Sequence, residues 1–254
     1  MRVAALAVYP VKGAAAVPLE RVALDNMGPL GDRRYCLARP SGRVFTQRDD
    51  ASLARLRAQP HDGGLLLEFD GERLQVGAAD FATAAQLHVW SRQTAARIAR
   101  NALNAALTRW FGTPLQLARL ERPVERQGAM LAFGDAAALL LTNAASLDAL
   151  NASMDVAVPM ARFRPNIVLA GAAAFDEDRW QRLRVGSAIL APVHACGRCE
   201  VTTIDQEVGA VVDGEPLRTL SRLRMRDGEP VFGVRYAVAQ PGDIRVGDRA
   251  FDAP

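Results

Sequence analysis

The amino-acid sequence predicts an α+β fold that is predominantly β and contains only short helices. Three observations lead to this prediction: short apolar runs between turn residues early in the chain, one helical pattern near its middle, and further β-prone runs after it. The chain has 254 residues, of which 50% are hydrophobic and 23% charged, so it can bury a large core as one domain or as two.

Residues 1–80 are predicted to form short strands, because β-prone runs alternate there with Gly, Pro, Asn and Asp turn signals. One short helical insertion interrupts them near Ser52–Arg57. The predicted strands are Arg2–Tyr9, Glu20–Asp25, Arg34–Ala38, Arg43–Gln47, Gly64–Phe69 and Arg73–Val76.

The middle of the chain carries a helical pattern. Apolar spacing predicts a helix over Thr94–Phe111 with one buried face, and Gly112 marks its end. The Arg-rich stretch Leu115–Ala132, which contains Pro123, is predicted to be a linker or a crossing between two halves.

The second half returns to β-prone runs. Asn143–Asn151 is predicted to be a short capped helix, and the acidic run Phe175–Trp180 is predicted to begin another. The predicted strands are Leu139–Thr142, Asn166–Ala170, Arg182–Ala191, Val201–Ile204, Phe232–Val238 and Asp243–Val246.

Charge and hydropathy argue against several classes of protein. The 31 basic and 28 acidic residues are interspersed, without the basic stripe of a nucleic-acid-binding protein. No run reaches the ~18 apolar residues of a membrane-spanning helix, and the N-terminal run is typical of a strand rather than a signal peptide. Three cysteines are an odd number for a disulfide framework, so we expect a reducing cytoplasm.

The motif Cys196-Gly-Arg-Cys199 is the most informative stretch, because a thiolate beside a cation can bind a metal or an electrophile. An iron–sulfur cluster needs four cysteines, and a thioredoxin-like pair leads into a helix rather than a predicted strand. The pair is either a functional thiolate site or two buried cysteines that pack as small hydrophobes. A structural zinc site needs about four ligands. Besides carboxylates, the sequence adds only Cys36, His61, His88 and His194 to the pair, which argues against such a site.

Three cations, Lys12, Arg33 and Arg164, lie where predicted strands meet turns. From such positions their side chains can converge on an anion such as phosphate. Thr202, which follows the cysteine pair, can orient a ligand. The alternative is that the cations are solvated surface charges and that the threonine is an ordinary strand residue.

Motifs spread over nearly the whole chain carry a family resemblance. They are Tyr9-Pro-Val-Lys12, Gly31-Asp-Arg-Arg34, Phe45-Thr-Gln-Arg48, Leu140-Leu-Thr142, Ala145-Ser-Leu147, Phe163-Arg-Pro-Asn166, Cys196-Gly-Arg-Cys199, Glu215-Pro216-Leu217, Phe232-Gly233 and Val246-Gly-Asp248. In this order they resemble the MOSC family, named for the C-terminal domain of molybdenum cofactor sulfurase. The likeness is to the two-domain branch that contains the mitochondrial amidoxime-reducing component and its bacterial relatives.

The resemblance implies an N-terminal β-barrel-like domain over residues 1–118, packed on a C-terminal MOSC β-barrel over residues 119–254, with a molybdenum–pterin cofactor between them. It makes Cys199 the thiolate ligand of molybdenum and the catalytic residue. We expect the cations to face one cleft near this cysteine. The residues that the resemblance assigns to the cofactor are Lys12, Arg33, Arg164, Asn166, Gly197, Arg198 and Thr202.

The implied activity is the two-electron reduction of N-hydroxylated compounds such as amidoximes, hydroxylamines and N-hydroxylated bases. Electrons are expected from a separate ferredoxin-, flavin- or cytochrome b5-like protein, because the sequence shows no ferredoxin-like extension. We expect no membrane partner and no nucleic-acid partner beyond free modified bases. The alternative is a carrier or sulfur-transfer module that binds the cofactor without reducing small substrates, in which Cys196 could bear a persulfide.

Overall fold

The computed structural model describes residues 1–61, 63–126 and 128–253, and the prediction of a predominantly β fold with short helices is confirmed. In the first half, α1 is Asn101–Phe111, and 3-10 turns lie at Ala51–Arg55 and Ala78–Asp80. The strands are β1 (Arg2–Val8), β2 (Val17–Leu19), β3 (Arg21–Asp25), β4 (Gly28–Pro29), β5 (Tyr35–Ala38), β6 (Val44–Phe45), β7 (Arg57–His61), β8 (Gly64–Phe69), β9 (Glu72–Val76), β10 (Phe81–Val89), β11 (Arg92–Ala99), β12 (Gln116–Leu120), β13 (Val124–Arg126) and β14 (Ala129–Leu131).

The second half contains α2 (Ala144–Asn151), α3 (Leu217–Leu223) and 3-10 turns at Met160–Phe163, Asp176–Asp178 and Glu200–Thr203. Its strands are β15 (Leu139–Asn143), β16 (Ile167–Ala170), β17 (Leu183–Val185), β18 (Ala188–Gly197), β19 (Ile204–Asp205), β20 (Ala210–Val211), β21 (Met225–Arg226), β22 (Glu229–Gln240), β23 (Gly242–Arg245) and β24 (Ala250–Asp252). No helix among the described residues is both long and apolar enough to cross a membrane.

The first strand of the chain joins a sheet that is otherwise built mainly by the second half. This nine-stranded sheet has the order β2-β1-β16-β15-β22-β18-β17-β24, and β21 extends it beside β22. Strand β1 is antiparallel to β16, which in turn is parallel to β15. Strand β3 likewise pairs with β23. The start of the chain is therefore fixed against its C-terminal half, and the loop after β1 is placed beside that half.

Each half has its own apolar core. The nine-stranded sheet buries a cluster that includes Leu6, Leu141, Ile167, Leu190 and Tyr236. The first half forms a five-stranded sheet, β10-β11-β12-β5-β6, and a three-stranded sheet, β7-β8-β9. Their cluster includes Leu37, Leu53, Leu67, Leu107 and Leu117. The cluster of the nine-stranded sheet also takes in Leu6 of β1 and Leu24 of β3, so apolar contacts join the first half to the second.

The predicted helix over Thr94–Phe111 is wrong in its first part. Arg92–Ala99 is β11, which forms a hairpin with β10, and α1 begins only at Asn101. Buried and more exposed positions alternate along β11, as in a strand with one buried face. Its alanines fit a helical period equally well, so apolar spacing alone favoured the longer helix.

The predicted strand over Val201–Ile204 is wrong except at Ile204, because Glu200–Thr203 forms a 3-10 turn and β19 begins only at Ile204. The Thr202 hydroxyl donates to the Cys199 carbonyl at 2.9 Å, and the Thr203 hydroxyl donates to the Glu200 carbonyl at 2.7 Å. Hydroxyl side chains that bond to nearby backbone compete in this way with strand formation. The cysteine motif therefore ends in a tight turn.

The stretch Leu115–Ala132 is more than a linker. Its first part contains β12, an inner strand of the five-stranded sheet, and its second part contains the hairpin of β13 and β14. Within it, Gln127 lies outside the described residues. The short helical insertion near Ser52–Arg57 and the helix near Asn143–Asn151 are both confirmed.

We predict that Gly233→Ala destabilises the protein by about 1–3 kcal/mol more than Gly228→Ala. Both glycines have positive φ, of 72° and 80°, so both substitutions carry a similar backbone cost. A Cβ at Gly233 would lie 2.7 Å from Thr142 Cγ2 and 2.8 Å from the Leu141 carbonyl oxygen, whereas one at Gly228 meets nothing within 4 Å. Urea unfolding measures the difference, and equal losses would contradict the close packing of β22 on β15.

Candidate functional site

A cavity of about 500 Å³ lies between the two halves of the chain. It is lined by residues 12–13, 33 and 46–48 from the first half and by segments around residues 135, 163 and 197 from the second. All eight residues assigned from the resemblance line this one cavity: Lys12, Arg33, Arg164, Asn166, Gly197, Arg198, Cys199 and Thr202.

Lys12 reaches the cavity from the loop after β1. Its backbone N–H donates to the Tyr35 carbonyl at 2.8 Å, and its ammonium lies 2.5 Å from Asp135 Oδ1. Burial lowers the pKa of Lys12, and Asp135 opposes that shift. Burial also opposes ionisation of Asp135, but Lys12 and the Trp90 N–H hold the pKa of that carboxyl well below its usual range. Asp135 is therefore a carboxylate at neutral pH and faces the Lys12 ammonium group directly.

Asn166 joins Arg33 to the second half. Its amide oxygen accepts from the Leu140 N–H at 3.1 Å and from Arg33 Nη1 at 3.2 Å. Its amide nitrogen donates to the Ala7 carbonyl at 3.1 Å and to Asp32 Oδ1 at 3.0 Å. Asp32 also lies 2.5 Å from Arg33 Nη1. This buried network fixes where the Arg33 guanidinium enters the cavity.

Arg164 follows the 3-10 turn Met160–Phe163 in a left-handed conformation, with φ of 55°. Its guanidinium lies 4.3 Å from the centre of the Tyr9 ring. It donates to Gln206 Oε1 at 2.6 Å and to the Ala14 carbonyl at 2.7 Å, both of which are neutral acceptors. Burial lowers the pKa of Arg164 to about 10. Its charge is thus partly desolvated without a carboxylate among its described hydrogen-bond partners.

Arg198 is held by backbone carbonyls. Its Nε and Nη2 donate to the Phe232 carbonyl at 2.9 and 2.7 Å, and its Nη1 donates to the Phe163 carbonyl at 3.0 Å. Burial lowers the pKa of Arg198. Arg162 is also bonded to backbone, because its Nη1 donates to the Thr203 carbonyl at 2.7 Å. The two arginines fix the turn that carries Cys199 against neighbouring elements.

Cys199 lies where β18 has ended and the 3-10 turn Glu200–Thr203 begins. Its Sγ accepts from Arg48 Nη2 at 2.7 Å. Burial raises the pKa of the Cys199 thiol, and the Val201 backbone N–H and Arg48 oppose that shift. The structure thus presents one partly accessible sulfur beside a cation.

Cys196 differs from Cys199 in its surroundings. It lies within β18, is only 4% exposed, and has its Sγ 3.7 Å from the Gly197 carbonyl oxygen. A Cβ on Gly197 would overlap the Glu229 carboxylate, so a larger residue there would require that side chain to move. The two cysteines of the motif are therefore not equivalent.

Four residues outside the expected site also line the cavity, namely Arg48, Trp90, Asp135 and Arg162. Arg48 was part of a family-like motif, and Arg162 lies two residues before Arg164. The roles of Asp135 and Trp90 come from contacts with residues far away in the chain, so no local pattern indicates them.

Two family sequence models cover most of the chain. The MOSC N-terminal beta barrel domain matches residues 1–114, and the MOSC domain matches residues 129–250. Mitochondrial amidoxime-reducing component 1 of Danio rerio is 30% identical over 97% of this chain and 83% of that protein. The chain belongs to the MOSC family.

Other members of the family are similar over almost the whole chain. Mitochondrial amidoxime-reducing component 1 of Xenopus laevis is 29% identical over 98% of this chain and 81% of its own. Component 2 of Homo sapiens is 29% identical over 98% of this chain and 82% of its own. Among solved structures, the YuaD protein of Bacillus subtilis matches 98% of this chain and 93% of its own, with 11% identity and a TM-score of 0.47.

The two family matches divide the cavity between them. Lys12, Arg33 and Arg48 lie in the match to the MOSC N-terminal domain, whereas Arg164 and Cys199 lie in the match to the MOSC domain. The two matched segments therefore each contribute cations to the cavity that contains the Cys199 sulfur. The cavity of this MOSC protein therefore depends on how its two halves are held together.

We predict that Asn166→Ala destabilises the protein by about 1–3 kcal/mol, because it leaves buried partners of the amide without a hydrogen bond. The exposed Asn101→Ala serves as the matched control and should change stability by no more than about 0.5 kcal/mol. Urea unfolding of both variants measures the difference. A loss for Asn166→Ala no larger than the control's would contradict the central position of the amide.

Proposed function

We propose that this chain is a molybdenum-cofactor-dependent oxidoreductase that reduces N-hydroxylated compounds such as amidoximes, hydroxylamines and N-hydroxylated bases. One observation carries the proposal. Arg164 and Arg198 share a cavity with Cys199, and their hydrogen bonds among the described residues all go to neutral acceptors. The names of the similar amidoxime-reducing components support the substrate class.

The residues of the cavity fit a ligand that is anionic and polar. Desolvated guanidinium groups without a carboxylate partner are costly, and an anionic ligand offsets that cost. Arg162 adds a buried Nε without a hydrogen-bond partner among the described residues, which is a donor available to a polar ligand atom. A pterin with a phosphate group supplies the negative charge for the cations and polar atoms for the Nε donor. The metal that it carries can bind the Cys199 thiolate.

Each residue then has a distinct role in the proposed complex. Lys12, Arg33 and Arg164 bind the phosphate and the pterin, and Cys199 provides the protein thiolate to molybdenum. Asn166 positions Arg33 through a hydrogen bond. Arg198, Thr202 and Gly197 shape and hold the turn that presents the sulfur.

The bound cofactor would supply the two-electron redox chemistry. The overall reaction takes one N-hydroxylated substrate, two electrons and two protons, and it yields the reduced nitrogen compound and water. The protein's own residues bind the cofactor, orient it through one thiolate and surround it with positive charge.

We infer that a separate ferredoxin-, flavin- or cytochrome b5-like protein supplies the electrons. The three cysteines of this sequence are too few for a four-cysteine iron–sulfur cluster. We also propose a reducing compartment such as the cytoplasm, because three cysteines are an odd number for a disulfide framework.

We predict that Cys199→Ala lowers the reduction of benzamidoxime by cofactor-loaded protein to the level of a protein-free control, because the metal loses its protein ligand. Cys196→Ala, its matched control, should retain most of the activity, since that sulfur is buried in β18. An assay with a dithionite-reduced dye measures both. Undiminished activity of Cys199→Ala would refute the proposal, and a cofactor-loaded wild type that does not reduce the substrate would favour the carrier or sulfur-transfer alternative.

We predict that Arg164→Gln weakens retention of the cofactor roughly 10-fold or more, because a hydrogen bond to a charged group contributes about 1.5–3 kcal/mol. Arg57→Gln, which removes an exposed arginine from β7, should retain it as the wild type does. Molybdenum and pterin content per chain after gel filtration measures retention. Equal content in the two variants would contradict a role for Arg164 in binding.

A further inference from the structure

Arg48 makes the one side-chain hydrogen bond to the Cys199 sulfur seen among the described residues. Its Nη2 lies 2.7 Å from Sγ, although the two residues are 151 positions apart in the chain. Arg48 comes from the loop after β6 in the N-terminal half, whereas Cys199 follows β18 in the C-terminal half. The sulfur proposed as the metal ligand is therefore contacted by a cation from the other half of the protein.

Two further contacts fix the Arg48 side chain, which is only 30% exposed. Its Nε donates to Glu200 Oε1 at 2.8 Å, and its guanidinium lies 4.5 Å from the centre of the Trp90 ring. Arginine's planar fork allows one side chain to hold a carboxylate and a sulfur at the same time. The Nη2 donor is thus directed at the sulfur by contacts on other parts of the guanidinium.

Trp90 is itself held in place. It has a left-handed backbone, with φ of 57°, and its Nε1 donates to Asp135 Oδ1 at 3.0 Å. A non-glycine residue in this region costs of order 1–3 kcal/mol and persists only where its surroundings enforce it. The hairpin loop between β10 and β11 therefore keeps an aromatic face under Arg48 despite the backbone cost.

Hydrogen bonds to a ligand sulfur change the electron density that it donates to a metal. Donors around a metal centre orient the ligands and tune the reduction potential, and in iron–sulfur proteins hydrogen bonds to the sulfurs are among the main determinants. A cationic donor withdraws charge from the thiolate. The reduced, more electron-rich metal is then stabilised relative to the oxidised metal, which raises the potential.

We propose that Arg48 is a positioning residue that orients the Cys199 sulfur and raises the reduction potential of the metal bound to it. This inference rests on the proposed function, since it requires molybdenum on Cys199. Through Arg48, the N-terminal half would influence the reduction potential of a metal whose protein ligand, Cys199, belongs to the C-terminal half.

The test compares the cofactor-loaded wild type with Arg48→Gln, which removes the cationic fork. Arg43→Gln is the matched control, because it removes an arginine from the same region that pairs with Asp49 instead. Molybdenum content is measured first, and the midpoint potential and the Mo(V) paramagnetic resonance spectrum are then followed in a redox titration. We expect Arg48→Gln to show a lower midpoint and an altered spectrum, with both unchanged in Arg43→Gln.

Trp90→Ala is a second variant, for use if Arg48→Gln does not fold, because it removes the ring that supports the guanidinium. It should shift the midpoint in the same direction. Wild-type midpoint and spectrum in Arg48→Gln, at wild-type molybdenum content, would overturn the role of Arg48 alone. A folded wild type that takes up no molybdenum in a cofactor-competent host would instead overturn the proposed function, and this inference with it.

Discussion

The buried amide of Asn166 joins the two halves of the protein at the wall of the cavity. It bonds to the backbone of Ala7 and Leu140 and to the side chains of Asp32 and Arg33. All four of its bonds are satisfied, which is the condition under which a buried polar network favours one arrangement over others. The short segment from Arg162 to Asn166 adds contacts to the cysteine turn and to Tyr9. It also bonds to Arg33 and Arg198, so the positions of these two cations depend on it.

The cavity gathers more positive charge than its carboxylates offset. Lys12 is paired with Asp135 and Arg33 with Asp32, but Arg164 and Arg198 bond to carbonyl and amide oxygens among the described residues. Those oxygens satisfy the donors of the guanidinium groups and leave their net charge in place. That charge can attract an anionic ligand. The same arginines thus hold neighbouring segments through hydrogen bonds and attract an anionic ligand through their charge.

How much the sequence could predict depended on the range of the interactions. Lys12, Arg33 and Arg164 were found because strand ends and family-like motifs are local signals, and the structure brings them together. The segment after Cys199 has the β propensity of a strand, but the threonine hydroxyls bond to nearby carbonyls and favour a turn instead. The alanines of β11 fit the period of a helix as well as that of a strand, so their spacing does not decide between the two. The contact of Arg48 with Cys199 spans 151 positions, so no local pattern could reveal it.

We propose that Cys199 presents a thiolate to a metal held in the cationic cavity between the halves. The most direct measurement is molybdenum X-ray absorption on protein produced in a cofactor-competent host, for the wild type and for Cys199→Ala. We expect molybdenum in the wild type with a sulfur ligand that the variant lacks. The same number of sulfur ligands in both proteins would contradict it.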